Sequence, residues 1–282
     1  MKNILVPCDF STASEKALRF ALDIAALSEG EITVLNVINL TPSYIEDLEV
    51  NPYYVNSMSI LTELKQEAVA SFDGIKKKLG ATKIPMKLVV EQGIVSQAVL
   101  KSIHRNQIDL VVMATEGATG LRELLVGSNT EKIVRSSPVP VFAIHKSQKV
   151  GQVKNIIFPT TIGLRKEKLI EKVKVLQAFF KARIHLLYIK TPESKEKDLD
   201  LKVGLENIAK FYGLTDFVVT VKHSKTEEDG IVQFAQDLPF SIIAMSTHGH
   251  TGLTHLMLGS IAEDVVNHSS EAVWTYAGSE IS

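Results

Sequence analysis

Cysteine is almost missing from this 282-residue sequence. A single Cys8 excludes an intramolecular disulfide and a metal site built from several thiolates. An excess of charge of either sign is also missing, with 31 Lys+Arg against 32 Asp+Glu and a formal net charge of -1. A general affinity for the phosphates of DNA or RNA needs a basic surplus or patch, so a nucleic-acid partner is not expected. No uninterrupted apolar run approaches the ~18 residues of a membrane helix, so no membrane partner is expected either. Before charged Asp9 the N-terminus leaves no room for the apolar core of a signal peptide, which makes a soluble cytoplasmic protein the default. The sequence lacks G-x-x-x-x-G-K-[ST], G-x-S-x-G and H-E-x-x-H, the signatures of the phosphate loop, the hydrolase elbow and the zinc peptidase. What remains is an ordinary globular composition, 45% hydrophobic and 22% charged. At roughly 100–200 residues per domain, two domains are expected.

An internal repeat divides the chain. Lys2-Asn3-Ile4-Leu5-Val6-Pro7 returns as Lys154-Asn155-Ile156-Ile157-Phe158-Pro159. Val112-Met113-Ala114-Thr115-Glu116-Gly117 returns as Ala244-Met245-Ser246-Thr247-His248-Gly249, and Thr119-Gly120-Leu121 as Thr251-Gly252-Leu253. Gly127-Ser128-Asn129-Thr130-Glu131 returns as Gly259-Ser260-Ile261-Ala262-Glu263. Four blocks in one order, a domain length apart, indicate two copies of one domain, spanning 1–147 and 152–282. The spacing between copies shrinks by about 20 residues after the first block. The extra length of the first copy is placed at Thr41 to Ile60, a stretch with Pro42, Pro52, Tyr44, Tyr53 and Tyr54. That stretch reads equally as a lid, a partner surface or a plain loop. The polar run Lys146 to Gly151 is the expected join.

Within each copy, short apolar runs alternate with helical periodicity. Ile4-Leu5-Val6, Ile32 to Val37, Met86 to Val90, Leu110 to Met113 and Val139 to Ile144 read as strands buried on both faces. Thr12 with Glu15 has the capping-box spacing, and Ala17, Leu18, Ala21, Leu22 and Ala25 follow at helical spacing. Helices are also expected over Leu61 to Leu79, around Val95 to Ser102 and from Glu131 to Arg135. Alternating strands and helices predict an α/β fold with two tandem open parallel five-stranded sheets flanked by helices.

In such a sheet, ligands bind outside the carboxyl ends of the strands. The first strand ends in Pro7-Cys8-Asp9, and the fourth in Met113-Ala114-Thr115-Glu116-Gly117, followed by Gly127-Ser128-Asn129-Thr130-Glu131. Ser128 with Glu131, and Ser260 with Glu263, again have capping-box spacing. A glycine before a helix N-terminus lets a ligand approach the backbone, and the free N–H groups there favour a phosphate. The same residues also read simply as the start of a helix.

The stretch Met113–Glu131, with its twin Met245–Glu263, resembles the universal stress protein (UspA) family. Nucleotide-binding members of that family carry G-x2-G-x9-G-[ST] after the fourth strand. Here the pattern is Ala114-x2-Gly117-x9-Gly127-Ser128, and then Ser246-x2-Gly249-x9-Gly259-Ser260. The spacing holds twice, and a small residue replaces the first glycine twice. The resemblance covers nearly the whole chain and implies a Rossmann-like, adenine-nucleotide alpha hydrolase-like fold. It also implies binding of ATP or a related adenine nucleotide, with Mg2+ accompanying it. An aspartate closing the first strand would hold the adenosine end; Asp9 matches it, and Thr161 stands there in the second copy. The end of the second strand, Val37 or Ile189, would contact the base. Met113, Gly117, Gly127, Ser128, Asn129 and Thr130 would hold ribose and phosphates, with Gly249, Gly259 and Ser260 as second-copy counterparts. Gly93 follows the third strand, and Lys225 is expected to match it. Asp9 against Thr161 makes the first copy nearer the binding pattern, though Asp9 also reads as a turn or cap. The family pairs domains through their fifth strands, which implies an intramolecular pseudo-dimer and leaves room for a further homodimer.

Three functions are compatible with these residues. The first is a regulatory nucleotide-binding protein without rapid turnover, since no general base, Walker lysine or acidic metal pair is visible and nothing is assigned as catalytic. The second is a nucleotide-free interaction module, which the two replaced glycines fit. The third, an ATP pyrophosphatase or ligase, needs a phosphate loop such as S-G-G-x-D-S where this chain has Cys8-Asp9-Phe10-Ser11. His248, His250 and His255 cluster in the second copy, but without cysteine or spacing suited to zinc they read as solvated or phosphate-contacting side chains rather than a metal site. Cys8 reads as a buried inert thiol.

Overall fold

A computed structural model describes residues 1–39, 57–115, 127–162, 167–247 and 260–277. By compactness the chain divides into Met1–Gly120 and Leu121–Ser282.

The first unit holds β1 (Asn3–Pro7), α1 (Thr12–Ser28), β2 (Glu31–Ile38), α2 (Ser57–Leu79), β3 (Met86–Gln92), α3 (Val95–Arg105) and β4 (Leu110–Ala114). Its strands lie in the order β3-β2-β1-β4, all parallel. Ile4, Leu5, Val6, Leu110, Val111 and Val112 are fully buried, as strands covered on both faces must be. The cap of α1 is Ser11 rather than Thr12: the Ser11 hydroxyl accepts from the Ser14 amide at 3.2 Å.

The second unit begins with α4 (Ser128–Ser136) and β5 (Val141–Ile144). After a short 3-10 turn (Val150–Gln152) come β6 (Asn155–Pro159), α5 (Glu167–Phe180), β7 (Arg183–Lys190), α6 (Asp198–Phe211) and β8 (Phe217–His223). It closes with α7 (Glu227–Asp237), β9 (Ser241–Ser246), α8 (Ser260–His268) and β10 (Val273–Tyr276). Its strands lie in the order β5-β10-β9-β6-β7-β8. All pair in parallel except β5 with β10, which are antiparallel with Phe142 opposite Trp274. Both of those side chains are fully buried. This pairing explains why the compact division falls before β5 rather than at the join that the repeat predicts.

The join itself is sewn down. The Gln148 amide donates to the Ser241 carbonyl at 2.8 Å and its oxygen accepts from the Ala272 amide at 3.2 Å. Val150 is buried.

The element order repeats, β1-α1-β2-α2-β3-α3-β4-α4-β5 against β6-α5-β7-α6-β8-α7-β9-α8-β10. The size difference lies between the second and third strands. There the first copy has a 23-residue α2 and the second a 14-residue α6. Most of the Thr41–Ile60 stretch lies outside the described residues; its last four residues form the first turn of α2.

Candidate functional site

At the end of β1, backbone and side-chain bonds hold the chain in a tight turn. The Cys8 amide donates to the Leu35 carbonyl at 2.9 Å, and the Asn36 side chain donates to the Cys8 carbonyl at 2.9 Å. Asp9 Oδ1 accepts from the Ser11 amide at 3.0 Å and from its hydroxyl at 2.6 Å. This is an Asx turn leading into α1, so the turn reading of Asp9 is realised in this structure. Burial pushes the Asp9 carboxyl up, but the bonds from Ser11 outweigh it and hold the group below the usual carboxylate range. Phe10, the next residue, has φ 62°, a strained conformation for a bulky side chain. Asp9 and Phe10 line a first-unit cavity of about 280 Å³ with Asn36, Ile38, Leu64 and Ser71. Val37 and Met113, at the ends of β2 and β4, do not line it; Val37 is half-buried and Met113 buried. Cys8 is buried and its thiol donates to the Ser14 hydroxyl at 3.3 Å, while burial foremost pushes its pKa up. An inert core thiol is the expected result.

Gly127–Thr130 belong to the second compact unit. The expected capping box at Ser128 and Glu131 is not formed. Gly127 is the cap, the Thr130 amide donates to its carbonyl at 2.8 Å, and no side chain caps the helix. Ser128 and Asn129 are exposed in the first turn of α4, and Thr130 is buried. Arg135 of α4 pairs with Glu263 of α8, one of its bonds measuring 2.7 Å. Gly117, Gly249 and Gly259, with Glu116, His248, His250 and His255, lie outside the described residues. Ser260 is the first residue of α8.

The second unit gathers the expected constellation more fully than the first. A cavity of about 170 Å³ is lined by Thr161, Ile189, Met245, Ser246, Ile261 and Ala262. These are the repeat counterparts of Asp9, Val37, Met113, Ala114, Asn129 and Thr130. So the ends of β6, β7 and β9 and the first turn of α8 converge on one space, where an open α/β sheet takes its ligand. The turn after β6 copies the one after β1: the Thr160 amide donates to the Leu187 carbonyl at 2.9 Å.

Two features of this cavity escaped the sequence reading. Glu227, the first residue of α7, lines it and is half-buried. Burial pushes its carboxyl above the usual range. The match of Gly93 with Lys225 is also wrong by one residue. The Gly93 amide donates to the Ile38 carbonyl at 3.0 Å, and the amide doing the same for Lys190 belongs to Ser224, at 3.1 Å. Gly93 has φ 118°, which favours glycine, whereas in the second copy an added residue reaches the helix cap at Thr226. Counting back from the conserved spacing of the later blocks passes over that one-residue shift.

Elsewhere, Asp198 at the start of α6 accepts from Lys190 at 2.7 Å and pairs with His223 at 2.8 Å. The His223 and Lys190 bonds hold the Asp198 carboxyl down to about 2. Among the described residues no group of three or more His, Cys, Asp or Glu side chains could hold a metal ion. Among the same residues no helix is long and apolar enough to cross a membrane.

The model of the universal stress protein family matches residues 1–145 and again 152–276. The chain belongs to that family, as a tandem pair. It is similar to universal stress protein Slr1230 of Synechocystis sp., 22% identical over 98% of this chain and 100% of that one. It is also similar to universal stress protein MJ0577 of Methanocaldococcus jannaschii, 28% identical over 51% of this chain and 95% of that one. Among solved structures, a universal stress protein from Archaeoglobus fulgidus superposes with a TM-score of 0.73 at 20% identity, covering 98% of each chain. That likeness concerns the fold.

Proposed function

We propose that this tandem universal stress protein binds ATP or a related adenine nucleotide at the carboxyl ends of its strands and acts as a cytoplasmic regulator without rapid turnover. The supporting observation is the second-unit cavity. It draws together the ends of three strands and the first turn of a helix, and its lining combines Leu187, Ile189, Ile231 and Met245 with Thr161 and Ser246. Apolar walls with a few polar groups suit a purine, and a helix N-terminus suits an anionic group. In the first copy the proposed binding residues are Asp9, Val37, Met113, Gly117 and Gly127–Thr130; in the second, Gly249, Gly259 and Ser260. Mg2+ would accompany the phosphates. Asp9 favours tight binding in the first copy, because charge-assisted hydrogen bonds contribute about 1.5–3 kcal/mol against roughly 0.5–1.5 for neutral ones. The antiparallel β5–β10 pair supports an arrangement in which one chain stands for one conventional dimer.

The experiment is to purify the protein, denature it and separate the released small molecules by chromatography. Released adenine nucleotide, or calorimetric binding of added ATP with magnesium, is the expected result. Absence of both would favour the nucleotide-free interaction module, which Ala114 and Ser246 at the first glycine of the pattern also fit.

A further inference from the structure

The two copies differ in where they carry a carboxyl group. The first has Asp9 after its first strand and Val95 as the opening residue of α3. The second has Thr161 after its first strand and Glu227 as the opening residue of α7. Both helices have 11 residues and hold corresponding places in the repeat. Each copy thus has a carboxyl group at one of these two places and none at the other.

Glu227 is set for contact with something other than protein. It lines the cavity, it is half-buried, and among the described residues its carboxyl has no hydrogen-bond or ion-pair partner. Half-buried and lining the cavity, the carboxyl keeps contact with solvent and is open to a ligand's hydrogen-bond donor. The close approach of its helix is also built in. Gly230, one turn further along, occupies the place of Ala98, and a Cβ there would meet Ile189 Cγ2 at 2.7 Å and Ser224 Cβ at 2.9 Å. Only glycine lets α7 press this closely on the end of β7. The apolar part of the lining, Leu187, Ile189, Ile231 and Met245, suits a flat heterocycle, and Thr161 and Ser246 add polar groups. A carboxylate would also repel phosphate. The volume of about 170 Å³ is below the roughly 300 Å³ of pockets that enclose whole ligands, and suits one ring system.

We propose that Glu227 is a specificity-determining residue of the second-copy cavity, its carboxyl oxygen accepting a hydrogen bond from the exocyclic amino group of a bound adenine. The inference rests on the nucleotide-binding reading above and names the group that selects the base. An acceptor oxygen is present in either protonation state of the carboxyl, so the contact needs no particular pH.

The test is calorimetric titration of the full chain with adenosine and with purine riboside, the same nucleoside without the 6-amino group. Asp9→Asn serves as the background, because it weakens the first copy while its side-chain oxygen can still accept from Ser11. In that background adenosine should bind about tenfold or more tightly than purine riboside. Glu227→Gln, which keeps an acceptor oxygen, should retain the preference. Glu227→Val, which installs the residue found at Val95, should bind the two nucleosides equally. A preference left intact by Glu227→Val would overturn the assignment of Glu227 while leaving nucleotide binding in place. Loss of the preference in Glu227→Gln as well would also overturn it, since the acceptor would not be what matters. No binding of ATP, adenosine or purine riboside by the unaltered chain would instead overturn the nucleotide-binding reading, and this inference with it.

Discussion

The two copies share an element order and differ at the points where a ligand would be touched. The first closes its leading strand with Asp9, whose carboxylate is held in a turn by Ser11. The second puts Thr161 there and opens its α7 helix with Glu227, which lines a cavity of mixed polar and apolar residues. The first crosses from β3 to α3 through Gly93 at φ 118°, the second through Ser224 and Lys225. The buried framework has been kept and the polar groups redistributed. A duplicated fold constrains its core by packing but leaves its crevices free to diverge.

The largest effects should come from the framework. Trp274 is fully buried and faces Phe142 across the β5–β10 pair. Trp274→Ala should cost about 3–5 kcal/mol of stability in chemical denaturation. A loss below ~1 kcal/mol would mean that this pair is not part of the stable core.

Close helix packing comes next. Gly230→Ala should destabilise by about 1–3 kcal/mol, because its new methyl must displace Ile189 or Ser224. Adding Ile189→Ala should recover part of that loss. The reverse change in the first copy, Ala98→Gly, should cost only ~1 kcal/mol through helix propensity. Equal effects at the two sites would show that the helices sit alike after all.

The polar turns sharpen the comparison further. Asp9→Ala should cost about 1 kcal/mol near neutral pH, and Thr161→Ala close to nothing. The folded pKa of Asp9 is lowered, so its contribution is present above the unfolded value and disappears as pH falls through the folded one. The Asp9→Ala difference should therefore vanish in acid, as measured by denaturation at a series of pH values.

The smallest effect belongs to Asp198, whose partners Lys190 and His223 stand where the first copy has Ile38 and Gln92. Its pKa is lowered from 3.8 to about 2. Its stabilisation is present above about pH 4 and is lost between there and about pH 2. Asp198→Asn should flatten that part of the acid limb, with a small loss of stability at pH 7 that disappears below about pH 2. An acid limb identical to that of the unaltered protein would contradict the Lys190–Asp198–His223 network.

The repeat, the strand and helix alternation and the family were legible because each rests on periodicity and on several spaced residues read together. The fifth-strand pairing followed from the family resemblance, and the structure pairs β5 with β10. The helix caps were misplaced by one residue, at Ser11 and Gly127, because a hydroxyl three residues before a glutamate marks a helix start only to within one position. Gly93 was paired with Lys225 because a one-residue shift leaves no trace in the spacing of the later blocks. Glu227 was missed for a different reason. It stands in a run of acidic residues, Glu227-Glu228-Asp229, that looks like an ordinary charged first turn. Glu228 is also half-buried but pairs with His268; what sets Glu227 apart is its place in the cavity lining, which the sequence alone does not mark.

The central claim is that the chain binds an adenine nucleotide and that its copies bind unequally. Calorimetric titration with ATP and magnesium on the intact chain, Asp9→Ala and Thr161→Ala tests it most directly. The account predicts no more than one tight site, weakened about tenfold or more by Asp9→Ala and unchanged by Thr161→Ala. Loss of that site in Thr161→Ala with Asp9→Ala unaffected, or no binding by any of the three proteins, would contradict it.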